Sequence, residues 1–210
     1  FYGGMKLNYL KYLIASRESP KMQDKGPDLF PGVDPGELVR QALVAEREGK
    51  RQEAVERFMA AKHKDLRYRG ILFRVGKILY EGRNFDSADN AFERAIAFGE
   101  NVDFSTYYRG LIAVRRRDLP AAERFFESAI SAEPFVSDYH YYMAETLRLD
   151  LKPKESLPHY QRAILLSRNA QDETVCKFKL RMGEIEAAEG PSVSDELAKA
   201  QAAGPLSVDW

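Results

Sequence analysis

The residues whose chemistry would matter most, if they met, are three histidines, one cysteine and a few close carboxylate pairs. A metal centre draws His and Cys ligands from short, regular spacings. His63, His140 and His159 stand too far apart for any two to share one helix face, and Cys176 has no second thiol in a CxxC spacing. A phosphate cradle needs GxxxxGK[ST] or GxGxxG, and a nucleophile elbow needs GxSxG; none of the three patterns occurs. Asp86 and Asp89 are close enough for acid–base work, but they flank a helix start, where carboxylates serve the exposed amides of the first turn. His140 falls on a packing position. We therefore expect no catalytic residue, no metal ligand and no cofactor.

Composition excludes further classes. Hydrophobic residues at 44% and charged residues at 30% describe a chain able to bury a core while facing water. The 32 basic and 32 acidic side chains cancel, so no global basic field draws in nucleic acid or an anionic membrane. A lone cysteine cannot close an internal disulfide. The longest apolar runs fall well short of the roughly 18 residues that cross a bilayer. A cytoplasmic protein is expected, or a cytoplasm-facing one if an anchor precedes Phe1.

The elements that must position any site come from an internal repeat. At an offset of 34 residues one register runs through four units. A small residue recurs at Ala42, Gly76, Gly110 and Ala144, and a second series at Ala54, Ala88, Ala122 and Ser156. Aromatics follow at Phe58, Phe92, Phe126 and Tyr160, then Ala61, Ala95, Ala129 and Ala163. Small residues let two antiparallel helices approach closely, while the aromatic and the alanine three residues on share one helix face. No such pair buries its apolar face alone, so pairs must stack.

At these anchors, from Pro35 to about Ala170, the chain closely resembles the tetratricopeptide repeat family. It departs from that pattern where Leu38, Leu72, Thr106 and His140 replace the early tryptophan, and where the closing proline survives only as Pro134. The resemblance implies an all-α, right-handed superhelical solenoid of antiparallel helix pairs. The units are placed at 35–68, 69–102, 103–136 and 137–170, within a repeat domain spanning 34–170.

Local signals agree with this register. Asp34-Pro35-Gly36-Glu37 reads as a capping box with proline at the first helical position. Asp118 before Pro120, and Asp103 or Ser105, read as helix starts. Pro158 predicts a kink or a late start in its helix. Residues 1–33 read as an amphipathic helix, Met5 to Arg17, followed by a Pro/Gly-rich linker. Residues 171–210 read as degenerate capping helices: one from Asp172 to Glu189, then a short one begun by Ser194.

The resemblance also implies that the first helix of each unit lines a concave groove. The second unit places Phe73, Arg74, Lys77 and Tyr80 there, and the third places Phe104, Tyr107, Tyr108 and Arg115. Tyr141, Tyr142 and Arg148 follow from the fourth. Tyr, Phe and Arg are the types enriched at interface hot spots. The expected function is a non-enzymatic scaffold or adaptor that holds a partner segment, acidic and apolar together. The adjacent tyrosine pairs lie about 100° apart on a helix, so one of each pair can pack between units instead. The carboxylate clamp of the family's co-chaperones is absent: of its positions Val39, Leu43, Arg74, Phe104 and Tyr108, only Arg74 is basic. The alternatives are a membrane-associated assembly or secretion factor using the N-terminal helix, and an adaptor for a cytoskeletal filament. The oligomeric state is left open.

Overall fold

The computed structural model describes residues 28–189. The expected helix at Met5–Arg17 and the short helix begun by Ser194 lie outside them. Among the described residues the chain is all-helical. The order is α1 (Pro35–Arg47), α2 (Arg51–Lys64), α3 (Ile71–Glu81), α4 (Phe85–Ala97), α5 (Val102–Arg115), α6 (Leu119–Ala132), α7 (Ser137–Leu149), α8 (Pro153–Leu166) and α9 (Ala170–Glu189). The contacts divide the chain into two compact units at Arg109/Gly110, within α5.

Polar side chains start several of these helices. Asp34, Asn84 and Asp118 accept a hydrogen bond from the amide three residues on, satisfying one of the orphan donors of the first turn. The capping box at Asp34 is half formed, because the Glu37 carboxylate turns away to Arg40 and Gln41. α5 starts earlier than expected, at Val102, so Asp103 sits in its first turn and Ser105 inside it. Pro158 imposes no late start: α8 begins at Pro153 and carries Pro158 in its interior.

The turn inside each helix pair is built the same way four times. Gly49, Arg83, Arg117 and Leu151, each 34 residues from the last, all have φ between 59° and 73°. In each case that residue's amide bonds the carbonyl three back, and the next amide bonds the carbonyl five back, as from Arg83 to Tyr80 and Asn84 to Leu79. This is the Schellman closure, which wants glycine; only Gly49 supplies it.

In the first unit, Leu38, Ala42, Ala54, Phe58, Leu72, Val75 and Phe92 are all 1% exposed or less. Gly76 explains how closely α3 and α4 approach. A Cβ on Gly76 would lie 2.6 Å from a carbon of the Phe92 ring. In the second unit Gly110 and Phe126 repeat the same contact at 2.6 Å. The replacements for the family's tryptophan do packing work: Leu38, Leu72, Thr106 and His140 are all buried.

Three ionic ties reinforce this packing. Residues 28–33, read as linker, are strapped to α2 by Lys64, whose ammonium donates to the Phe30 and Val33 carbonyls and pairs with Asp28. Lys62 and Glu100, each 1% exposed at the side chain, meet at 2.6 Å. Lys62 also donates to the Leu66 and Tyr68 carbonyls, and Glu100 accepts from the Leu72 amide at the start of α3. In the second unit Glu145 of α7 accepts from the Tyr160 hydroxyl of α8 and from Lys179 of α9 at 3.1 Å. Burial and the Glu145 charge hold the Tyr160 hydroxyl protonated, so it stays a donor.

Candidate functional site

The side chains expected in a groove separate by unit. In the first unit α3 presents Phe73, Lys77 and Tyr80 at three- and four-residue spacing, which puts them on one helix face. Their rings meet those of α5. Phe73 lies 6.1 Å from Phe104 and 6.1 Å from Tyr108, and Tyr80 lies 5.2 Å from Tyr108, edge to face. Tyr108 in turn stacks on Phe92 at 5.0 Å. The aromatic group therefore has a buried base, Phe92, and an open edge at Phe104, which is 42% exposed.

Charge at this face is mostly committed. The Arg74 guanidinium pairs with Glu46 of α1 at 2.6 Å and lies over the Phe58 ring. Arg40 pairs with Glu37. Lys77 is half-buried and makes no ion pair among the described residues.

One regularity links the two units. Arg74, Tyr108 and Tyr142 each cover the aromatic sixteen residues earlier: Phe58, Phe92 and Phe126. Cys176 shares a buried cluster with Tyr160 at the same separation. Tyr108 and Tyr142 are therefore half-buried packing residues between successive pairs.

Their neighbours lie deeper. Tyr107 and Tyr141 are each 9% exposed, so in each adjacent pair they are the members that pack inward. Arg148, expected in the groove, is buried between Glu145 and Glu186, at 3.4 and 3.0 Å, locking α7 to α9. Arg115 is exposed in the last turn of α5. Of the expected groove residues, the structure brings Phe73, Lys77, Tyr80, Phe104 and Tyr108 together around one surface, with Arg74 beside them.

The histidines share no helix face, and His140 is buried as its packing position implies. His140 and His159 are 19 residues apart, yet their Nδ1 atoms lie 3.3 Å apart because α7 and α8 fold antiparallel. Among the described residues no three His, Cys, Asp or Glu side chains gather in a way that could hold a metal ion, and no helix is long and apolar enough to cross a membrane. Two open cavities, of about 460 and 360 Å³, lie among α6, α7 and α8 and beside α2.

No protein-family model matches the sequence, and no curated protein is similar to it at the sequence level. Solved structures are similar in fold. YrrB, a tetratricopeptide-repeat protein with an unusual peptide-binding site, superimposes with a TM-score of 0.61 at 13% identity, over 78% of this chain and 82% of its own. A MamA fragment from Desulfovibrio magneticus RS-1 gives 0.59 at 17% identity, over 80% and 98%. PilF of Pseudomonas aeruginosa gives 0.57 at 14%, over 80% and 82%. The chain has the tetratricopeptide-repeat fold.

Proposed function

We propose that this chain is a scaffold that holds a partner polypeptide on the first-helix face of its N-terminal compact half, around Phe73, Lys77, Tyr80 and Phe104. The observation that carries this is the aromatic group on α3 and α5. Its base is fixed by Phe92, its edge is open at Phe104, and it flanks the Lys77 ammonium, which has no carboxylate partner among the described residues. Pre-packed rings lose little freedom when a partner covers them, which is why aromatic clusters make strong anchors.

The partner chemistry follows from what is uncommitted. Apolar side chains would cover Phe73 and Phe104, and one acidic group would pair with Lys77. Because Arg74 is already neutralised by Glu46, a single well-placed carboxylate suits this face better than a run of acids. The peptide-binding site of YrrB, on the same fold, supports a polypeptide as the ligand class.

The test is affinity capture with this chain beside a Phe104→Ala/Lys77→Glu variant, followed by a binding titration on any protein retained. Both positions are at least partly open, so the variant should keep the helical circular-dichroism signal. Loss of one hot-spot ring costs about 2 kcal/mol, so affinity should fall at least tenfold. Equal affinity for the folded variant contradicts the proposal.

A further inference from the structure

We infer that His140 and His159 form a proton-counting contact that holds α7 against α8 while the pair carries at most one extra proton, and releases it when a second arrives. The tautomers follow from the partners. The His140 Nε2 lies 3.1 Å from the Pro134 carbonyl oxygen, which only accepts, so that nitrogen bears the hydrogen and His140 Nδ1 is bare. His159 Nδ1, 3.3 Å away, must then be the donor. The ring centroids are 5.6 Å apart, longer than the nitrogen separation by about the two ring radii. The nitrogens therefore meet nearly head-on, as in a hydrogen bond, rather than converging on a shared ion.

This arrangement takes up protons in order. A first proton settles on His159 Nε2, the nitrogen not used in the contact. It leaves the Nδ1–H···Nδ1 bond in place. A second proton has only His140 Nδ1 to occupy. Two N–H donors would then face each other across 3.3 Å between two cations, and the contact cannot survive.

The surroundings do not relieve this. Burial pushes both imidazoles below the usual 6.5, Arg162 of α8 pushes His140 further, and His140 pushes His159. The cavity against His159 carries Glu123, Arg124 and Glu127 from α6, with Lys152 and Glu155 at the start of α8. Lys152 is committed to Glu123 and Asp150, and the remaining carboxylates do not lift His159 back.

The sign is fixed by which state binds more protons. Unfolded imidazoles titrate near 6.5 and these titrate lower, so the unfolded chain binds more protons below that pH. Stability is complete above about pH 6.5 and is lost as pH falls below it.

The experiment is a pair of measurements on the full chain. Imidazole resonances followed by NMR from pH 7.5 to 5.0 should show His159 protonating first at Nε2, with His140 following only as amide exchange in α7 and α8 accelerates. Thermal melts over the same range should show the wild type losing at least about 3 °C more than His159→Gln, whose amide can still donate to His140 but cannot titrate. Two histidines that protonate independently near 6.5 would overturn the inference, as would equal pH-dependent losses in the two folded proteins. If His159→Gln does not fold, the order of protonation in the wild type decides the question alone.

Discussion

At the residue scale the sharpest consequences concern Gly76 and Phe92. Alanine at Gly76 would put its Cβ 2.6 Å from the Phe92 ring, which cannot swing away because Tyr108 stacks on it. We expect Gly76→Ala to cost about 1–3 kcal/mol, the usual penalty for overpacking. Phe92→Ala should cost about 3–5 kcal/mol, because it empties a fully buried ring site. Urea denaturation of each variant, and of Gly76→Ala/Phe92→Leu, checks both. The double change should cost less than the sum, since the smaller side chain makes room for the new methyl. Small and aromatic residues alternating at one period made this contact legible in sequence, and Phe92 supplies it from the same helix as Ala88. The orientation of Tyr107 and Tyr141 was not legible. Adjacent tyrosines differ by about 100°, and nothing in their identity says which one points inward.

At the element scale the repeated turn makes a separate prediction. Leu151 occupies a left-handed position that costs an L residue about 1–2 kcal/mol, while glycine costs roughly 0.5–1 kcal/mol in unfolded-state entropy. Leu151→Gly should therefore stabilise the chain slightly, by up to about 1 kcal/mol, and Gly49→Ala should destabilise it by a similar amount. Melting temperatures of the two variants, moving in opposite directions, are the check. A second element-level test is Arg148→Met. It leaves Glu145 and Glu186 buried without their shared cation, and removing one partner from a buried ionic group costs about 3–5 kcal/mol. Chemical denaturation should show that loss, with amide exchange in α9 accelerating most. Caps such as Asp34 and Asp118 could be read from sequence because a cap acts over three residues. The Lys62–Glu100 tie could not. Its members are 38 residues apart, and the next repeat puts Ile96 and Pro134 at those positions, so the register carries no trace of it. The His140–His159 contact was hidden for the same reason: antiparallel folding brings together residues that no single helix would.

For the whole molecule, the fold was the most legible property, because sixteen anchor positions repeat without insertion and each has a packing reason. The surface that meets a partner was less legible, since Tyr, Phe and Arg serve an interface or the packing between helix pairs equally well. Burial of Tyr107, Tyr141 and Arg148 moves the proposed contact to Phe73, Lys77, Tyr80 and Phe104. The most direct measurement is a positional crosslinking map: a photo-reactive amino acid placed in turn at Lys77, at Phe104 and at Gln52, an exposed residue of α2. Discrete adducts with one polypeptide from Lys77 and Phe104, suppressed by unlabelled wild-type chain and absent from Gln52, are the predicted result. Adducts of equal yield from Gln52, or none from the aromatic face while the chain remains folded, would contradict the account.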